Sequence, residues 1–173
     1  MKKKLTGVVL PVLLFLVGFA VLLYPSFSDL WNQRRQESMI GTYVETVAQL
    51  TKEDHSALWQ AAREYNAGLD STFHDAFIEG RIGQDDPYWS LLDPDGSGVM
   101  GYIEIPKIGV RLPVYHGTGE DALQRGIGHL AGTSLPVGGA GSHCVLSGHR
   151  GLPTALLFTD LDRLVGGDRF YLH

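Results

Sequence analysis

The sequence predicts a mainly β domain carried behind a helical amino-terminal extension and a membrane anchor. Three observations predict it. Leu5 to Tyr24 is a 20-residue run without a charge. Apolar residues then recur at helical spacing through residues 25–79. From Val99 onward the apolar period drops to two, the signature of a strand. A chain of 173 residues is long enough for one domain plus an anchor. Its 22 glycines and 44% hydrophobic content suit a β-rich globular domain and not a disordered one.

Residues 1–4 form a basic tip, with Lys2, Lys3 and Lys4 before the apolar run. As a helix, residues 5–24 would cross a hydrocarbon core of roughly 30 Å. A cleaved signal peptide is the rival reading. Its apolar region is usually about 7–15 residues long and ends in a small-x-small site. This run is longer and ends in Leu22-Leu23-Tyr24-Pro25. The sequence therefore predicts an uncleaved anchor, in which Pro11 and Gly18 are tolerated. The lysines should stay in the cytoplasm and the remainder outside, although Arg34 and Arg35 on the far side oppose that orientation. Beyond Tyr24 the chain carries 11 basic and 19 acidic residues, a net charge of −8. An acidic body argues against a nucleic-acid partner, which needs clustered positive charge.

After the anchor, Ser28 or Asp29 is a candidate helix cap. Ile40, Tyr43, Val44, Val47 and Leu50 continue as an apolar stripe. Thr51 followed by Asp54 reads as a second helix start. Leu58, Ala62, Tyr65 and Leu69 form its stripe, and Gly68 is a terminator. Residues 80–98 have loop composition, with Asp85-Asp86-Pro87 and Asp93-Pro94-Asp95-Gly96. Trp89, Leu91 and Leu92 sit inside that loop and need something to cover. In the 99–173 segment, Val110, Leu112 and Val114 alternate with Arg111, Pro113 and Tyr115, which predicts a half-buried strand. Pro113 predicts an edge or a bulge there. Further strands are expected over residues 143–147 and from Asp168 on, with a helix around residues 155–158.

Seven histidines raise a metal reading. His116, His129, His143 and His149 are scattered, without ligand-pair spacing, so no metal site is expected. Cys144 and His149 raise a dyad reading. An extended segment between them would separate them by about 16 Å and turn them to opposite faces. Cys144 then reads as a small buried apolar residue, unless a sharp turn at Gly148 reunites the pair. His149 stands in Ser147-Gly148-His149-Arg150-Gly151, a glycine-flanked loop that can hold an imidazole where substrate reaches it.

These segments resemble the sortases, the membrane-anchored cysteine transpeptidases of the Gram-positive surface. Four blocks carry the likeness, in order: Gly101 to Lys107, Leu112 to Thr118, Gly126 to Pro136, and Ser147 to Leu164. Together with Asp86-Pro87-Tyr88, which matches an Asp-Pro-aromatic lid, they resemble class C, the pilin polymerases. The resemblance implies that a cysteine cleaves a Leu-Pro-x-Thr-Gly-type sorting signal and that the acyl group passes to a pilin lysine. It implies His149 as acid/base, Asp86 and Tyr88 (with Pro87, and Trp89 as the alternative aromatic) as the lid, and no cofactor. The implied partners are pilin or surface-protein sorting signals and an acceptor lysine. The implied location is the cell membrane, with the domain outside. A wall-anchoring sortase of another class, or an inactive remnant acting as a tethered binding module, is the alternative.

The sequence departs from that pattern in one respect. The family's nucleophile lies in a Thr-Leu-x-Thr-Cys-like motif, and an arginine follows it. Neither motif occurs in this chain, and Cys144 matches no catalytic position. A second membrane segment, common at the carboxyl end of class C, is absent too. The expectation is therefore a truncated eight-stranded β-barrel, with about four strands and the start of a fifth, inactive alone and with open strand edges.

Overall fold

The computed structural model describes residues 2–69, 82–83, 85–153 and 155–173, with side chains from residue 9 onward. The expected loop over 80–98 is thus described except for residues 80, 81 and 84. Of the expected helical extension, residues 70–79 lie outside the described residues.

Helix α1 runs unbroken from Lys2 to Gln49 and contains Pro11 and Pro25. No new helix starts at Ser28 or Asp29, which corrects the expected cap. The Asp29 carboxylate is used differently: Oδ2 accepts from Gln33 Nε2 and Oδ1 from the Leu156 backbone N–H. Helix α2, Lys52–Gly68, begins where the sequence indicates. Thr51 Oγ1 accepts from the Asp54 N–H while the Asp54 carboxylate accepts from the Thr51 N–H, a reciprocal capping box.

The β domain is one curled five-stranded sheet. Its strands are β1 (Val99–Ile105), β2 (Val110–His116), β3 (Ile127–His129), β4 (Leu146–Ser147) and β5 (Tyr171–Leu172), in the order β4-β3-β2-β1-β5. It has the form of an incomplete barrel, as expected. All pairs are antiparallel except β2–β3, which is parallel and joined through helix α3, Glu120–Arg125.

Strand β2 corrects two expectations. It is central, and from Leu112 to His116 every residue is buried. Two layers account for this. On one face, Leu112 and Val114 join a core with Ile103, Ile127, Leu135, Leu157, Phe158 and Tyr88. On the other, Tyr115 packs with Val99, Ala122 and the α1 residues Met39 and Tyr43. Pro113 is nevertheless accommodated. Its β1 partner Tyr102 directs both backbone groups to His173, just past β5 on the far side of β1, at 3.0 Å each, so Pro113 faces the other side of the pair. There the β3 ladder starts only at Val114↔Ile127, so no ladder bond is lost to the missing N–H. The bulge of this pair lies between Val99 and Gly101 instead.

Two local expectations also change. The strand expected over 143–147 is regular only at Leu146–Ser147. Before it, the His143 and Val145 N–H groups donate to Ser134 Oγ and Thr133 Oγ1 instead of to a strand. No helix forms around 155–158. Leu157 has φ of 40°, in the left-handed region, and Leu152 and Ala155 bond each other across a tight turn. A 3₁₀ turn follows at Leu161–Arg163.

Candidate active site

The loop after β4 carries His149. Gly148 sits where a Cβ would come within 2.8 Å of both Ile127 Cγ2 and Phe158 Cδ2, so a side chain there would push the loop off the core. At Gly151, with φ of 131°, a Cβ would lie 2.5 Å from Thr159 Oγ1. The two glycines let the loop lie flat, and the Phe158 N–H donates to the His149 carbonyl at 3.1 Å. His149 is half-buried and lines a cavity of about 740 Å³. Ser28, Asn32 and Arg35 of α1 form one wall, and Glu120, Gln124 and Arg125 of α3 form another. Arg150 points elsewhere, 3.3 Å from Asp162 in an exposed pair that adds little stability.

Cys144 is half-buried, and burial pushes its thiol up to about 11. The thiolate is the nucleophilic form, and at pH 7 such a group is ionised about once in ten thousand molecules. The feature that activates a nucleophile is missing.

Asp86 begins a 3₁₀ turn, Pro87–Ser90. Its Oδ1 accepts from the Tyr88 N–H at 2.8 Å, and Pro87 supplies the fixed φ that such a start favours. The turn drives Tyr88 inward and Trp89 outward. Tyr88 is 0% exposed and packs edge-on against His116 and Trp89. Trp89 stays partly exposed, donates Nε1–H to the Gly83 carbonyl at 2.8 Å, and lays its ring over Gly117.

The partner of Tyr88 is His129, 41 residues away. Burial pulls the His129 imidazole down to about 4, so it is neutral at pH 7. One arrangement satisfies the three shortest contacts. Gly117 N–H donates to the Tyr88 hydroxyl at 2.9 Å, and that hydroxyl donates to His129 Nδ1 at 2.9 Å. His129 Nε2–H then donates to the Ser134 carbonyl at 2.9 Å. Desolvation accordingly raises the Tyr88 phenol well above its ordinary value. His116 completes the anchorage of the 86–98 segment. Its Nε2 lies 2.7 Å from the Leu91 carbonyl and its Nδ1 lies 3.1 Å from that of Gly98.

Sequence reasoning identified the Asp86–Trp89 motif and the His149 loop but missed His129 and His116. Their signal was weak: each is the last residue of a strand, at paired positions in the β2–β3 register. The structure brings Tyr88, Trp89, His116 and His129 together. His149 lies at a separate cavity wall, with Ser28 to Arg35.

Comparison with known proteins adds the following. A family model described as the sortase domain matches residues 103–173. The chain is 40% identical over 57 residues to Sortase D of Bacillus subtilis (strain 168), covering 33% of this chain. It spans 28% of the length of that curated relative. The crystal structure of sortase C1 from Streptococcus agalactiae is similar with TM-score 0.70 and 41% identity, over 79% of this chain and 69% of that one. Sortase C-1 from Streptococcus pneumoniae is similar with TM-score 0.67 and 39% identity, over 79% and 70%. Sortase C-1 from Actinomyces oris gives TM-score 0.61 and 44% identity, over 68% and 66%.

Proposed function

Because this chain belongs to the sortase family, and within it to class C, we propose that the complete protein is a membrane-anchored cysteine transpeptidase whose acid/base is His149. The substrate is a Leu-Pro-x-Thr-Gly-type sorting signal and the acceptor is a lysine amine of a pilin subunit. A cysteine thiolate, from chain following residue 173, attacks the threonine carbonyl carbon. The tetrahedral oxyanion is held by an arginine of the same region. The imidazolium of His149 protonates the glycine nitrogen as the carbon–nitrogen bond breaks, leaving a thioester. The lysine amine then attacks the thioester carbonyl, neutral His149 removes its proton, and the carbon–sulfur bond breaks to restore the thiolate.

One observation carries this reading. His149 stands on a loop fixed by β4, by the close fit at Gly148 and by the Phe158 bond, and it borders an open cavity. An acid/base needs that combination of held position and access. Residues Asp86 to Trp89 are the lid in this reading. Asp86 Oδ1 is committed to the Tyr88 N–H, so Oδ2 is the oxygen left for the arginine. Trp89 is the surface aromatic, and Tyr88 is its root in the core. Helix α1 is long and apolar enough to cross a membrane, and the anchor over 5–24 with an external domain follows from the lysine tip.

The test uses the complete enzyme, expressed with the coding region beyond residue 173. His149→Ala should lower transpeptidation by about 10² to 10⁴-fold while the catalytic thiol still reacts with a small alkylating reagent. Turnover within about tenfold of wild type would remove His149 from the mechanism.

A further inference from the structure

Helix α1 is both the apolar span and a wall of the His149 cavity, so it fixes the height of the cavity above the membrane. This inference rests on the anchor reading above. Along a helix each residue adds about 1.5 Å. Taking Tyr24 as the end of the apolar run, Ser28 lies about 6 Å beyond it, Trp31 about 10 Å and Arg35 about 16 Å. The head-group layer occupies roughly 5–7 Å on each side of the hydrocarbon core. The body is locked to this part of the helix at several heights. Asp29 Oδ1 accepts from the Leu156 N–H at 3.0 Å, Gln36 Nε2–H donates to the Arg125 carbonyl at 3.0 Å, and Glu37 pairs with Arg111. Leu156 therefore lies about 7 Å beyond the run, at the outer edge of the head groups.

The exposed side chains at that height match an interface. Tyr24 and Phe27 share one face of α1 at helical spacing and are both well exposed, Tyr24 by 59% and Phe27 by 68%. Leu156, 55% exposed, stands at the same level on the body. Large aromatics with one wet end are the side chains that settle at the membrane–water boundary.

We propose that Tyr24, Phe27 and Leu156 form a foot that rests in the lipid head-group layer of the membrane that α1 crosses. The lower rim of the His149 cavity, at Ser28, Leu152 and Pro153, then opens at the lipid surface. The partner is the lipid surface itself and not another protein.

The experiment is a depth measurement on the full chain in phosphatidylcholine–phosphatidylglycerol nanodiscs. In a Cys144→Ala background, an environment-sensitive fluorophore is placed at Phe15→Cys, Leu156→Cys or Val44→Cys, all exposed positions. Val44 lies about 30 Å along the helix from Tyr24 and is the water control. Lipid carrying a head-group nitroxide should quench about half or more of the signal at 156 and leave position 44 unchanged, given the layer's thickness. An acyl-chain nitroxide should quench position 15. If position 156 responds only to aqueous iodide while position 15 remains in the bilayer, the body stands clear of the surface and the foot is refuted. If position 15 also responds only to iodide, the anchor reading itself fails and takes the foot with it.

Discussion

The neutral imidazole of His129 makes the fold sensitive to acid in a defined window. Its folded value is about 4 against an ordinary 6.5, with burial as the main cause. Protonation would also break the bond from the Tyr88 hydroxyl, because Nδ1 would no longer accept. Between pH 6.5 and 4 the unfolded chain binds a proton that the folded chain refuses, so stability rises with pH there. The His129 contribution is complete above the unfolded value and falls away as pH drops toward the folded one. From the two values the loss is about 2 kcal/mol at pH 5 and about 3 kcal/mol at pH 4. Asp54 and Asp168 are shifted downward from 3.8, so their effect falls below this window. The assay is urea unfolding of the full chain in a mild non-ionic detergent, followed by tryptophan fluorescence from pH 7 to 4. His129→Gln is the reference, since a glutamine amide accepts and donates without titrating. Other histidines are common to both proteins and cancel in the difference. The wild-type curve should fall toward the variant's by the amounts above. Parallel curves across the window would refute the neutral, buried imidazole.

A polypeptide of these 173 residues should show no turnover of a Leu-Pro-x-Thr-Gly peptide, and turnover that disappears in Cys144→Ala would restore the Cys144–His149 dyad. Gly148→Ala should destabilise the domain by about 1–3 kcal/mol through overpacking against Ile127 and Phe158, and an unchanged urea midpoint would show that the loop gives way freely. In the complete enzyme, Asp86→Ala and Trp89→Ala should each speed alkylation of the catalytic thiol by releasing the lid. Equal rates in wild type and both variants would reduce Asp86–Trp89 to an ordinary turn. Trp89→Ala is the cleaner of the two aromatic variants, because truncating the fully buried Tyr88 would cost about 3–5 kcal/mol and loosen the core.

Much of this molecule was legible in local patterns. The capping box at Thr51 and Asp54, the stripe through Ala62 and the strand over Val110 to Val114 are set by spacing over a few residues. The segment around Asp86-Pro87 read only as a loop, and the turn that buries Tyr88 came from the structure. The His149 loop could be read from its glycines, and Gly148 shows why: nothing larger fits between Ile127 and Phe158. Other features were not legible, for a common reason. Alternation reports one face of a strand, and β2 is covered on both because α1 crosses behind it. A proline rule assumes that the missing N–H was needed, and at Pro113 the neighbouring ladder has not yet begun. Ser28 and Asp29 have cap chemistry, but a continuing helix and the Leu156 N–H claimed the Asp29 carboxylate.

By itself, then, the sequence determined the apolar span, the start of helix α2, the strand through Val110 to Val114, and which loops carry His149 and Trp89. These depend on backbone preferences and on the free energy of burying one face, which neighbours in sequence decide. Only the tertiary structure decided that Tyr88 pairs with His129, that His116 holds the carbonyls of Leu91 and Gly98, and that His149 shares its cavity with Ser28 to Arg35. A hydrogen bond between distant side chains has no local signature. Its strength comes from the water excluded around it, and that exclusion exists only once the sheet, α1 and the 86–98 segment have closed on one another.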